Sequence, residues 1–294
     1  MNKRFTTWLV VPALALAPVA WAGEDIDERA AMDPTGKVTV SNVSGDIDIT
    51  TWDEAEVHVT GELGEDSELI FEASGGDVRI EVEFLDRGNR HNYESTDLII
   101  RVPEAASLSV TGVSSDVTIR GSRGEALRAE SVSGDVDVMA EVERLDLTSV
   151  SGDVMFQGDA SRTSVETVSG DVELMGLEGE LEVSLVSGDV DLRAGVLSRG
   201  RFESVSGSME LEMEVASGGR VSVETMSGDA TLMVPSSQSG EFRAQTFSGD
   251  ISSRFGSPQR EEHGPGSRLK HVEGDGDATI RVESFSGDVE IGHK

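Results

Sequence analysis

Apolar and polar residues alternate along most of the chain, and a turn interrupts the alternation at a fixed interval. In Val165-Glu166-Thr167-Val168-Ser169-Gly170-Asp171-Val172-Glu173-Leu174, Val165 and Thr167 share one side of a strand, and Val172 and Leu174 share one side of the next. Val168 breaks that parity and marks a corner at Ser169-Gly170, where glycine permits the bend. The unit recurs so that the turn aspartates Asp135, Asp153, Asp171 and Asp189 step by 18 residues. Strand alternation with such a period predicts an all-β fold, a parallel β-helix or β-solenoid with about 18–21 residues per coil. Right-handed winding is favoured, because the hexapeptide pattern of left-handed helices is missing.

The same phase extends in both directions. Turn positions continue at Ser208, Asp229 and Asp250, then at Asp288 after a break between Ser252 and Gly276. The residue before each Ser-Gly is valine through Val205 and then becomes Met226, Phe247 and Phe285. Larger side chains are therefore expected to fill the interior toward the C-terminal end. There the last coil forms the end face and needs a plug. The chain divides into residues 1–22, a leader at 23–36, a less regular β-rich section at 37–105 and regular coils at 106–251. An insertion loop or hairpin at 252–277 and a C-terminal coil and cap at 278–294 follow. Each coil adds about 4.8 Å, the spacing between strands, so the rod is on the order of 50 Å long.

Residues 1–22 read as a secretory signal. Lys3 and Arg4 precede an apolar run from Trp8 to Val19, and Ala20-Trp21-Ala22 forms a small-residue cleavage site. Pro12 and Pro18 make that run a poor membrane span. The expected destination is the periplasm or cell surface of a bacterium, with no membrane span in the mature chain. The net charge of −32 becomes −34 once Lys3 and Arg4 are removed, which argues against nucleic acid as a partner. The absence of cysteine removes disulfides, thiolate catalysis and thiolate metal sites together.

Candidate chemistry is sparse. A turn aspartate accepts a backbone N–H two residues on, so the repeated acid reads first as a structural turn residue. Stacked carboxylates also repel one another, and a divalent cation would offset that repulsion. Asp135, Asp153, Asp171 and Asp189 are thus weak candidates for loose Ca2+ binding, although the spacing matches neither an EF-hand loop nor the nonapeptide calcium repeat. No pair of the five histidines has metal-ligand spacing, no catalytic residues are assigned, and no cofactor is implied. The insertion carries Arg254, Arg260, Arg268 and Lys270 in an otherwise acidic chain, a candidate contact for an acidic partner or a second copy.

The chain resembles the bacterial putative-adhesin family, an exported β-solenoid domain of unknown function. The resemblance rests on Val38-x-Val40-x-Asn42-Val43-x-Gly45-x-Ile47-x-Ile49-x-x-Trp52-Asp53, on Leu98-Ile99-Ile100-Arg101-Val102-Pro103 and on the Ser-Gly-Asp coils ending at Asp288. It spans residues 37–292 and implies a non-enzymatic, adhesin-like scaffold of the cell envelope, with an envelope protein or glycan as partner. A divalent-cation-dependent or glycan-binding solenoid is the alternative, and a polysaccharide-active enzyme the distant one.

Overall fold

The computed structural model describes residues 25–85, 94–260 and 266–294; the segment read as a secretory signal lies outside them. Twenty-one strands and no helix make up the described residues. The fold is all-β and solenoid-like. Long strands such as Val136–Ser151 and Val154–Ser169 each run along one face, bend and continue along a second. Successive coils pair in parallel and in register, with Val136 beside Val154, Val172 and Val190 in turn. Leu147, Val165, Val183 and Phe202 form the matching column on the other face.

Alternation explains this arrangement residue by residue. Val154, Phe156, Val165 and Thr167 are buried, whereas Met155, Glu166 and Val168 are exposed. Branched aliphatic side chains suit such a stack, because each packs on its counterpart one strand spacing away. The few large interior side chains, Phe156, Phe202 and Phe242, are fully enclosed.

The order of coils in space departs from their order in sequence at both ends. Ala278–Ser286 does not form the end face. It pairs with Met209–Ser227 on one side and Gly240–Ser248 on the other. Val289–His293 likewise lies between Ala230–Val234 and Ile251–Ser253. The expectation that the last coil closes the stack is therefore corrected: it is inserted one place in. At the opposite end Lys37–Trp52 pairs with Ser107–Ser122 on one side, and with Asp77–Phe84 and Asp97–Pro103 on the other.

Antiparallel strands cover both ends. Ser267–Glu273 runs antiparallel along Gly240–Ser248, and Phe255 stacks on Phe242 at 4.2 Å between ring centroids. Ser67–Ser74 and Glu56–Glu62 do the same at the N-terminal end, with Asp25–Ala31 outermost. Asp25–Ala31 and Ser267–Glu273 are rich in charge, which discourages edge-to-edge pairing with another chain.

Candidate functional site

The Ser-Gly-Asp corner is the most repeated chemical element. The glycine N–H of one coil donates to the serine carbonyl of the next (Gly152 to Ser169, 3.2 Å), and the valine after the aspartate donates to the next aspartate's carbonyl (Val154 to Asp171, 2.9 Å). The aspartate N–H between them takes a carboxylate instead. Asp153, Asp171 and Asp189 each donate to Oδ1 of the aspartate one coil earlier, at 2.9 Å. The turn acid thus bonds across coils, not within its own turn as the sequence suggested. The four sequence candidates Asp135, Asp153, Asp171 and Asp189 form one exposed column whose oxygens are engaged in this way. No three His, Asp or Glu side chains converge as a metal site among the described residues.

This geometry separates acceptor from charge. Asp171→Asn keeps an acceptor oxygen and removes one like charge, so it should leave the melting temperature unchanged or raised at low salt. Asp171→Ala removes the acceptor and should cost about 1 kcal/mol. Added CaCl2 should stabilise the protein no more than NaCl of equal ionic strength. A calcium-specific rise abolished in Asp171→Asn would overturn the structural role.

At the N-terminal end the column is crowded. Burial raises the Asp46 carboxyl above its ordinary range, and the charges of Asp97, Asp116 and Asp48 push the same way. A carboxyl raised by folding binds protons more readily in the folded state, so its ionisation destabilises as pH rises through the raised value. Asp46→Asn should therefore raise the melting temperature at neutral pH, and the gain should fade as pH drops below the ordinary carboxylate range. A gain that persists at low pH would contradict this.

Beside the aspartates stands a column whose outward placement the sequence expectations missed. Val113, Val132, Val150, Val168, Val186, Val205, Met226, Phe285 and Phe247 follow one another in that spatial order, each between 41% and 59% exposed. Met226, Phe247 and Phe285 were expected to fill the interior; they stand outside it. Thr167, Ser204, Thr225, Thr246 and Ser284 take the inward place just before Val168, Val205, Met226, Phe247 and Phe285. An extended chain cannot turn two consecutive side chains inward, so the apolar residue after each buried Ser or Thr faces out. That phase was the available signal. Phe247 and Phe285 stack nearly parallel, with centroids 5.0 Å apart and planes 6° from each other.

The column forms the apolar wall of a groove of about 840 Å3 running from Val150 to Phe247. Glu166, Glu203, Glu224 and Glu283 line its lip. Glu203 and Glu283 are held by Arg201 and Arg281, whose guanidinium pKa values are raised by those hydrogen bonds. Glu224 lies in register between those two pairs, close enough for its charge to act on both guanidiniums, whereas Glu166 has no ion-pair partner among the described residues. The exposed aspartate column runs along the opposite side of the apolar residues, two strand positions beyond the exposed serines.

The four basic candidates lie at the C-terminal cap. Arg260 meets Asp250 at 3.0 Å and Lys270 meets Glu241 at 3.5 Å. Arg268 also has a partner, while the Arg254 backbone donates to Ile291. Arg260 and Lys270 thus meet acidic partners within the chain. The neighbouring Glu261, Glu262 and His263 lie outside the described residues, as does His91.

A family model described as Toastrack DUF4097 matches residues 28–178 and again 159–292. The chain belongs to that family. The Toastrack match covers nearly all the described residues, and it agrees with the resemblance drawn from the Ser-Gly-Asp coils. Among solved structures, a protein of Parabacteroides distasonis described as a putative adhesin is similar at 12% identity and a TM-score of 0.48, over 91% of this chain and 97% of its own. One from Parabacteroides merdae with the same description gives 11%, 0.37, 92% and 97%. Another from P. distasonis, described as a putative lipid binding protein, gives 12%, 0.31, 91% and 97%. Comparison with curated proteins gives no match.

Proposed function

We propose that the protein is a non-catalytic, adhesin-like binding scaffold of the bacterial cell envelope whose working surface is the outward apolar column. One observation carries this: nine exposed apolar side chains form an unbroken file on an otherwise acidic surface. Soluble proteins seldom leave a contiguous apolar stripe with charged borders unless something covers it. Placement in the envelope rests on the pattern of residues 1–22. The even spread of acids along the rod, rather than their convergence in a cleft, favours binding over catalysis.

The test is a crosslinking pull-down from native envelope with wild type and with Val168→Thr, Val186→Thr and Val205→Thr combined. Threonine keeps the branched shape at these exposed sites, so each change should alter stability by no more than about 0.5 kcal/mol. Loss of specific capture is the expected result. Capture equal to wild type would dismiss the column as the working surface.

A further inference from the structure

We propose that the groove beside the apolar column receives a basic amphipathic helix, laid along the axis of the stack. The inference deepens the scaffold reading and rests on it. Three features select this occupant. The first is charge: Glu166 and Glu224 lie on one side of Val168, Val186 and Met226, and an aspartate column lies on the other. A ligand that covers the apolar file must therefore carry positive charge on both flanks of an apolar stripe, which is the pattern of a basic amphipathic helix.

The second feature is length. Seven coils from Val150 to Phe247 line the groove, and six strand spacings make about 29 Å. At 1.5 Å per residue this matches a helix of about 19 residues. The third is the exclusion of rivals. A second copy would set its own acidic columns against these, and an anionic lipid surface would meet the same repulsion. An uncharged apolar chain would leave Glu166 and the aspartate column unanswered.

The probe is a fluorescein-labelled 18-residue helix of leucine and lysine, with one leucine stripe bordered by lysines. It is titrated by anisotropy into the protein lacking residues 1–22, beside a scrambled peptide and a glutamate-for-lysine counterpart. Only the stripe peptide should bind. The triple Val→Thr variant should weaken it by about tenfold or more. Glu166→Gln with Glu224→Gln should weaken it less and flatten its salt dependence.

Equal binding of the scrambled or acidic peptide, or full affinity in the triple variant, would overturn the proposal. So would a dimer in size exclusion that the triple variant abolishes, because a second copy would then fill the groove. Envelope capture that depends on the column, without affinity for the stripe peptide, would overturn the helix and leave the scaffold reading standing.

Discussion

Deletion of residues 278–294 is expected to unfold the C-terminal coils rather than trim an end. The segment supplies a whole interior rung, with Ala278, Ile280, Val282, Val289 and Ile291 almost completely buried. Burying one large aliphatic side chain contributes about 1.5–3 kcal/mol, so the four larger ones amount to roughly 6–12 kcal/mol. That is comparable with the whole stability of a typical domain, about 5–15 kcal/mol. Met209–Ser227 and Gly240–Ser248 would also both lose a hydrogen-bonded neighbour. In a stack whose coils touch only their neighbours, the damage should stay local. Hydrogen exchange should show protection lost from about residue 209 onward and retained through the coils before it. Removal of Lys294 alone, whose ammonium meets half-buried Glu212 at 3.5 Å, should cost only about 1 kcal/mol. A deletion variant that melts within about 3 °C of wild type would mean that Gly240–Ser248 has closed directly onto Met209–Ser227 and that the final coil is dispensable.

That alternative pairing shows why the order of coils was not legible in the sequence. Each Ser-Gly-Asp corner is equivalent, with Ser227, Ser286 and Ser248 aligned across three neighbouring coils. Local pattern therefore predicts that these segments stack but not which stands beside which. The choice falls to the segment between Ile251 and Ala278, whose strand Ser267–Glu273 turns back antiparallel over Gly240–Ser248 and leaves the other edge open for the final coil. The core was legible from period and parity, because Val165, Thr167, Val172 and Leu174 lie inward as their spacing requires. The apolar file was misread by treating hydrophobicity as burial, although Thr167 already occupied the inward place. The aspartate ladder was half legible: the acid does accept a backbone N–H, but one that only stacking brings within reach.

Gly188→Ala should be far more damaging than Gly218→Ala, although both glycines have positive φ. Gly188 has φ +129°, and a Cβ added there would lie 2.1 Å from the Gly170 carbonyl oxygen of the preceding coil. Neither partner is a flexible side-chain tip, so the two backbones must separate. Separation strains the bonds from Gly170 to Ser187 at 3.3 Å and from Asp189 to Asp171 at 2.9 Å. Backbone strain and lost pairing together should cost at least about 3 kcal/mol. Gly218 has φ +73° with no atom within 4 Å of the added Cβ, so alanine there meets only the left-handed backbone penalty of about 1–2 kcal/mol. Denaturant unfolding of the two variants isolates contact between coils from backbone preference, since only the first position has a neighbour to strike. Equal losses would mean that the corner glycines serve the bend alone. A larger loss at Gly188 would mean that they set how closely the coils approach, and hence the spacing at which Val168, Val186 and Val205 present their apolar file.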